Sequence, residues 1–174
     1  MKLYKNFNIL KNHKGSIILI GNFDGVHVGH QRLFKLASNY KKKFNLNIGV
    51  LTFEPMPKMF FNKSIKNFRI SNIDQKNKIL KNLGVDFIIT QKFNKKFSKI
   101  KSDFFIKEIL SKKIEAKYIF VSNNFKFGNN REGNVNQLIK NEKIYDYKII
   151  KPQPLILNQI VISSTYIRSL LEKG

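Results

Sequence analysis

A strand, a glycine-rich loop and a helix follow one another near the start of the sequence, and this succession constrains the fold most. The run Ile17–Ile20 is short, apolar and β-branched, as expected of a buried parallel strand. Residues 21–30 then read Gly-Asn-Phe-Asp-Gly-Val-His-Val-Gly-His. Apolar residues recur at i, i+3, i+4 and i+7 from Leu33 to Tyr40, which predicts a helix beginning near Val28.

The loop between this strand and this helix has the features of a phosphate site. Free backbone N–H groups and the positive end of the helix dipole favour anions at a helix start. Gly21, Gly25 and Gly29 permit tight turns and close approach of a ligand to the backbone. His27 and His30 can lie on one side of the first helical turn and donate to one polyphosphate. Neither a P-loop nor the dinucleotide-binding glycine pattern is present, so imidazole and backbone donors are predicted instead.

The rest of the chain alternates between predicted strands and predicted helices. Strands are predicted at residues 46–53, 85–90, 116–121, 148–150 and 155–162. Helices are predicted at residues 72–83, at residues 135–142 and after residues 163–165. A further helix is predicted to begin at a cap at Ser102 and to turn its apolar residues inward, namely Phe104, Phe105, Ile106, Ile109 and Leu110. This alternation predicts an α/β fold with a doubly wound parallel sheet. A length of 174 residues suits one domain.

Composition restricts the function classes. The chain has no cysteine, which excludes disulfides and a thiolate nucleophile. No apolar run approaches the roughly 20 residues of a membrane span and no leader pattern is visible, so a cytoplasmic location is expected. The formal charge of +22 would suit nucleic acid or an anionic membrane surface. The lysines are spread along the chain among many Asn and Ile residues, however, so neither is predicted as the primary partner.

Two further loops are candidates for the walls of the same crevice. In residues 54–57, Glu-Pro-Met-Pro, the two prolines prevent further sheet pairing and predict an extended loop at a strand's carboxyl end, where parallel sheets bind ligands. Residues 123–134 are rich in glycine and asparagine. Asn124 could offer an amide and Arg131 a planar fork to phosphate, and Phe127 is a better candidate than Phe125 for contact with a ligand.

Near the C-terminus, residues 163–165 place three hydroxyls in succession before a helix. One helix cap needs only one of them, which favours a further role for Ser164 and Thr165. Arg168 follows one turn into the helix, at an end that would face phosphate. A metal site at the two histidines and Asp24 is not predicted, because three ligands within one turn need unusual geometry.

The run His27-Val28-Gly29-His30 resembles the HxGH motif of the nucleotidylyltransferase superfamily, and residues 21–30 resemble one branch of it. That branch is FMN adenylyltransferase, the N-terminal domain of the bacterial bifunctional riboflavin kinase/FAD synthetase family. Residues 51–57, 123–134 and 162–168 resemble further segments of that family in the expected order. This sequence has Met56 where the family usually has His.

The resemblance implies a Rossmann-like doubly wound sheet of the nucleotidylyltransferase type, and the reaction of ATP with FMN to give FAD and pyrophosphate. The implied catalytic residues are His27, His30 and Arg168; the nucleotide-binding residues are Gly21, Phe23, Asp24, Gly25, Gly29, Asn124, Ser164 and Thr165; the substrate-binding residues are Glu54, Pro55, Pro57, Phe127 and Arg131. Mg²⁺ is expected to arrive with ATP and to be held by phosphates and water, since acidic residues are few.

In the bifunctional family a riboflavin kinase domain follows a segment like residues 162–171, whereas this sequence stops at Gly174. We therefore expect residues 1–174 to be an FMN adenylyltransferase domain that does not phosphorylate riboflavin, with a separate riboflavin kinase as a possible source of FMN. Two alternatives stay open: another HxGH-type adenylyl- or cytidylyltransferase, and a basic RNA-binding module.

Overall fold

The computed structural model describes residues 1–65 and 68–174, and a parallel β-sheet lies at its centre. In chain order the strands are β1 Lys2–Tyr4, β2 Ile17–Ile20, β3 Ile48–Glu54, β4 Phe87–Lys92, β5 Tyr118–Phe120, β6 Lys126–Phe127, β7 Gly133–Asn134, β8 Lys148–Ile150, β9 Ile156–Leu157 and β10 Ile160–Val161. Six of them form the main sheet in the order β1-β4-β3-β2-β5-β8, with every neighbouring pair parallel.

The helices follow the strands in the alternation that the sequence predicts. They are α1 Val28–Phe44, α2 Pro57–Phe61, α3 Ile73–Asn82, α4 Lys95–Ser98, α5 Ser102–Phe104, which continues directly into a π-helix at Phe105–Lys113, α6 Val135–Lys140, α7 Glu142–Tyr145 and α8 Ser164–Leu171. Short 3₁₀ turns occur at Lys11–His13, Asp24–Val26 and Asn129–Arg131. Within the described residues, no helix is long and apolar enough to cross a membrane.

The strand order confirms the doubly wound α/β fold. From β2 the chain proceeds through β3 and β4 on one side, whereas β5 and β8 lie on the other side. The loops that leave the carboxyl ends of β2 and β5 therefore diverge, and such a switch point is where open α/β sheets bind ligands. The predicted phosphate loop lies at this point because it directly follows β2.

Strand β2 carries the core on both faces of the sheet. Ile18 and Ile20 belong to one buried cluster, while Ile17 and Leu19 belong to the other. All four are at most 4% exposed. Successive side chains of a strand point to opposite faces, so a continuous apolar run supplies two cores at once. This rigid double-sided packing fixes the end of β2 from which the candidate site begins.

The predicted strand at 155–162 is wrong in its extent, because the structure has a small hairpin outside the main sheet. Strand β9 pairs with β10 in antiparallel fashion. Between them Asn158 and Gln159 both have positive φ, 47° and 65°. Two central residues with positive φ are characteristic of a two-residue hairpin turn.

The prediction that Ser102 caps a helix is also wrong. Lys101 occupies the cap position, and Ser102 is the first helical residue, with its buried hydroxyl accepting a hydrogen bond from Gln137 Nε2 at 3.0 Å. Phe104 was predicted to face inward with Phe105, but it is 51% exposed while Phe105 is 3% exposed. Adjacent helical residues point in directions about 100° apart, so both rings cannot enter one narrow core.

Candidate active site at the carboxyl edge of the sheet

The loop between β2 and α1 has an unusual backbone. Phe23 and Val26 have φ values of 48° and 36°, in the left-handed region that disfavours side chains with a Cβ. Both side chains are buried, 5% and 1% exposed, and the Phe23 ring packs 5.1 Å from that of Phe34. Packing therefore holds a strained backbone, which is common where a loop presents functional groups.

The two histidines lie face to face at the start of α1. The ring centroids of His27 and His30 are 3.7 Å apart at an interplanar angle of 24°, and Phe23 presents its edge to His30. The Nδ1 atoms of both imidazoles are buried without a hydrogen-bond partner in the described residues. Buried polar atoms are normally paired, so these two nitrogens are exceptions to the usual pairing.

Burial sets the protonation state of the pair. It lowers the pKa of His27 below its ordinary value and lowers the pKa of His30 to about 3, with the adjacent His27 acting in the same direction. Asp24 opposes the shift at His30 but does not reverse it. Both imidazoles are therefore neutral at pH 7, each with one N–H donor and one acceptor nitrogen.

Two glycines of the loop have close neighbours at the positions where a Cβ would lie. A Cβ on Gly29 would lie 3.2 Å from the His27 ring and 3.4 Å from the Ile162 carbonyl oxygen. Gly25 has φ +76°, and a Cβ there would lie 2.8 Å from Ile70 Cγ2. Gly29 thus lets the His27 ring lie over the helix start, and Gly25 lets residues 68–71 cover the turn.

Asp24 fastens residues 68–71 to this loop. Its side chain is 4% exposed, and its carboxylate accepts hydrogen bonds from the backbone N–H groups of Ile70 at 3.1 Å and Ser71 at 3.2 Å. It also accepts a charge-assisted hydrogen bond from Arg168 at 2.7 Å. These contacts occupy the carboxylate with protein partners.

Helix α8 is attached at the same point. Arg168 Nε donates to the carbonyl oxygen of Phe68 at 2.8 Å, and the guanidinium lies 3.8 Å from the centre of the Phe68 ring. Ser164 Oγ donates to the carbonyl oxygen of Asp24 at 2.9 Å, whereas Ser163 is the helix cap and accepts from the Tyr166 N–H. An open cleft of about 530 Å³ beside these contacts is lined by residues that include Thr165, Arg168 and Arg69.

Residues 54–57 comprise the last residue of β3 and the turn that follows it. Glu54 forms an ion pair with Arg69. The expected extended loop is only partly correct, because α2 begins at Pro57, and a proline is well accommodated at the first helical position. Met56 is 2% exposed. This side chain packs inside the protein, while Pro55 and Pro57 are half-buried.

The loop at residues 123–134 is less closely tied to the histidines. Asn124 is exposed and its Oδ1 accepts from Ser122 Oγ at 2.9 Å. Phe127 is 8% exposed and packs on Phe105, while Phe125 stacks on its other side and is only partly buried. Arg131 is exposed. The structure thus places the Phe127 ring in the core, and its contact with a substrate stays a prediction, as do those of Asn124 and Arg131.

Comparison with known proteins shows the family of this chain. A family model described as FAD synthetase matches residues 9–166. The chain belongs to the FAD synthetase family. It is 38% identical to a bifunctional riboflavin kinase/FMN adenylyltransferase of Buchnera aphidicola from Acyrthosiphon pisum, over 100% of this chain and 56% of that protein. The corresponding protein of Escherichia coli K12 is 32% identical over 98% of this chain and 55% of its own length. The chain therefore spans about half the length of these bifunctional relatives.

A Listeria monocytogenes FAD synthetase is 30% identical over 94% of this chain and 66% of that protein. Among solved structures, one described as a macrolide-efflux protein from Streptococcus pneumoniae matches 97% of this chain and 56% of its own with a TM-score of 0.77 and 29% identity. A pantoate-β-alanine ligase from Francisella tularensis matches 97% of this chain and 73% of its own with a TM-score of 0.60 at 17% identity, which supports the fold alone.

In this member of the FAD synthetase family, sequence reasoning missed several residues that build the site. Phe68 to Ser71 cover the Asp24 turn, and Lys76 is buried beneath the same loop at 6% exposure. A signal for Lys76 was present, because it precedes Ile79, Leu80 and Leu83 by three, four and seven residues and thus belongs to the apolar stripe of α3. No local sequence pattern predicts that residues 68–71 pack against the loop after β2.

The carboxylates of the site do not form a metal centre. Within the described residues, no group of three or more His, Asp or Glu side chains lies close enough together to hold a metal ion. Asp24 and Glu54 are bound to Arg168 and Arg69, respectively. Their oxygens are therefore committed to cations of the protein, and they do not fit a resident Mg²⁺.

Proposed function

We propose that this chain transfers AMP from ATP to the phosphate of FMN, producing FAD and pyrophosphate. The observation that carries the proposal is the stacked pair of neutral imidazoles at the start of α1, directly after the glycine-rich loop that follows β2. The FAD synthetase family and the printed names of the relatives support ATP and FMN as the substrates.

The chemistry needs no nucleophile from the protein. A phosphate monoester has a second pKa of about 6, so the FMN phosphate is largely a dianion at pH 7. One of its oxygens attacks the α-phosphorus of ATP in line, and the bond from that phosphorus to the bridging oxygen of the β-phosphate breaks. The electron pair leaves with pyrophosphate. The protein is left with the tasks of positioning and charge stabilisation.

His27 and His30 are proposed to donate N–H groups to the α-phosphate and to the departing pyrophosphate. Neutral imidazoles fit this task, because each already carries one N–H group and need not take up a proton before it donates a hydrogen bond. The first backbone N–H groups of α1 and the positive end of its dipole would add to the same site. These groups act most strongly where negative charge develops.

The cleft between residues 68–70 and α8 is proposed to hold the β- and γ-phosphates. Thr165 and Arg168 line it, and Arg69 adds a second guanidinium. Planar guanidinium groups bind phosphate oxygens in pairs, which a bare ammonium cannot do. We propose that Mg²⁺ enters with ATP as part of that substrate.

The FMN side of the site is proposed to lie between residues 54–57 and the loop after β5. Both segments leave the carboxyl edge of the sheet, on either side of the histidine loop. Glu54, Pro55, Pro57, Phe127 and Arg131 are candidates for this role, and Asn124 stays a candidate for nucleotide binding. A separate riboflavin kinase is a candidate source of FMN.

The test is to incubate the purified protein with ATP or CTP, Mg²⁺ and a panel of phosphomonoesters that includes FMN. We expect pyrophosphate and FAD from ATP with FMN. Pyrophosphate with a different acceptor or only with CTP would instead indicate another HxGH nucleotidylyltransferase. Absence of any turnover, together with RNA binding that weakens steeply with salt, would indicate a basic RNA-binding module.

A further inference from the structure

Lys76 carries a buried positive charge that the proposed reaction has not used. The residue lies on α3, is 6% exposed, and its Nζ donates to the Asn22 carbonyl oxygen at 3.3 Å and to Thr52 Oγ1 at 3.4 Å. Both partners are uncharged. In the described part of the chain no carboxylate forms an ion pair with Lys76, because Asp24 pairs with Arg168 and Glu54 with Arg69.

The charges around Lys76 do not balance. The loop after β2 contributes Asp24, the end of β3 contributes Glu54, residues 68–71 contribute Arg69, and α8 contributes Arg168. With Lys76, this cluster has three positive and two negative side chains. Burial lowers the pKa of Lys76, and Arg69 lowers it further, while Glu54 and Asp24 oppose the shift. A buried charge without a counter-charge is unfavourable, so its retention calls for a negative partner from outside the protein.

The position of Lys76 indicates which anion would serve. Asn22 and Thr52 lie at the carboxyl ends of the neighbouring strands β2 and β3, where the proposed substrates bind. The Oδ1 atom of Asn22 is also buried without a partner in the described residues. Asn22 belongs to the loop that leads to His27, so the Lys76 ammonium contacts the same loop that carries the proposed phosphate site.

We propose that Lys76 is a positioning residue whose uncompensated charge holds a substrate phosphate against the loop after β2. This inference rests on the proposed function, since it takes the phosphate to belong to FMN or to ATP. The ammonium fixes the loop through Asn22 and Thr52, and the incoming phosphate supplies the negative charge that the cluster lacks. The same residue therefore weakens the empty protein and strengthens the complex.

The test compares Lys76→Met, which keeps most of the length of the side chain and removes its charge, with Lys78→Met, a substitution of an exposed lysine on the same helix. Binding of FMN and of riboflavin is measured by flavin fluorescence, and binding of inorganic pyrophosphate by calorimetry. FMN and riboflavin differ by the phosphate alone. We expect Lys76→Met to weaken the binding of FMN or of pyrophosphate by about tenfold or more, in keeping with the loss of a hydrogen bond to a charged group. The binding of riboflavin should be unchanged.

Each result assigns the source or overturns the inference. Weaker binding of FMN would identify the FMN phosphate as the partner of Lys76, and weaker binding of pyrophosphate would identify the ATP phosphates. A Tm that is unchanged or raised is expected, because an apolar replacement removes an unpaired buried charge. Three outcomes would each show that Lys76 is only structural. In the first, FMN and riboflavin lose affinity equally while the affinity for pyrophosphate is unchanged. In the others, the affinity for every ligand is unchanged or the variant fails to fold. Because the readout is binding, wild type that binds FMN without forming FAD would contradict the proposed reaction and leave this inference standing.

Discussion

His30 is kept neutral by burial rather than by a hydrogen-bonding partner, and this has a consequence for stability. Its pKa in the folded protein is about 3, below the ordinary value of 6.5. Below pH 6.5 the unfolded chain therefore takes up a proton that the folded protein does not, so the stability contributed by neutral His30 is full above pH 6.5 and is lost as the pH falls towards 3.

We therefore predict that His30→Asn loses less stability than wild type on acidification. The measurement is the free energy of unfolding by urea at pH 7.5 and at pH 5. A variant whose stability falls as steeply as that of wild type between these values would show that His30 is protonated in the folded protein.

Gly25 is constrained both by its backbone and by its neighbour. Its φ of +76° and a Cβ position 2.8 Å from Ile70 Cγ2 both oppose a side chain. Gly15 is a matched control, because it has φ +70° but no atom within 4 Å of its Cβ position. Left-handed backbone alone costs roughly 1–2 kcal/mol per non-glycine residue.

We predict that Gly15→Ala loses about this amount of stability with normal activity. Gly25→Ala should lose more and should also lose activity, since the contact with Ile70 would displace the segment that covers the site. Urea titrations and steady-state rates of both variants provide the comparison. Equal losses in the two variants would show that the covering of the loop by Ile70 is unimportant.

At the scale of elements, Arg168 joins α8 to two distant segments. It donates to Asp24 in the loop after β2 and to the carbonyl oxygen of Phe68. We predict that Arg168→Lys lowers stability by about 1–3 kcal/mol, because one ammonium cannot reproduce both directed bonds. It should also raise the KM for ATP and lower kcat.

Arg32→Lys is the control for Arg168→Lys, since Arg32 is exposed on α1. Thermal unfolding and initial rates at varied ATP concentration measure both effects. If the two lysine variants behave alike, the geometry of the Arg168 guanidinium does not matter.

The elements that the sequence predicted well are those with a local signal. The apolar run Ile17–Ile20 predicts strand β2, and the spacing of apolar residues after it predicts that α1 begins near Val28. The structure confirms both. The π-helix at Phe105–Lys113 had no such signal, because its apolar residues also fit α-helical spacing. The sequence does not predict the hairpin at residues 156–161, because its turn of Asn158 and Gln159 lacks the glycine that usually marks such turns.

The contacts that complete the candidate site were beyond local reasoning. Asp24 meets Ile70 and Arg168, which are 46 and 144 residues away along the chain. Neither periodicity nor composition encodes such a pairing. The resemblance to a family predicts Asp24 and Arg168 as site residues, but it does not predict that they bind each other.

At the scale of the whole molecule, the sheet explains how segments from both ends of the sequence meet. The carboxyl end of β2 lies between those of β3 and β5, and α8 returns to the same edge. The net charge of +22 would add a general attraction for the proposed anionic substrates, ATP and FMN. Because exposed charges are screened, this attraction should weaken with salt, whereas the contacts of the buried histidines should not.

The central claim is that two neutral, stacked histidines promote transfer of AMP to FMN. The most direct measurement is the rate of FAD and pyrophosphate formation from ATP, Mg²⁺ and FMN by wild type, His27→Ala, His30→Ala and His13→Ala. His13 is a suitable control, because its Nδ1 is hydrogen-bonded to the Tyr4 hydroxyl at 2.8 Å and its ring stacks on Phe87. We predict equal amounts of FAD and pyrophosphate from wild type, near-normal kcat in His13→Ala, and a loss of kcat of about 100-fold or more in each of the other two variants. Absence of FAD from wild type, or rates in His27→Ala and His30→Ala equal to that of His13→Ala, would contradict the claim.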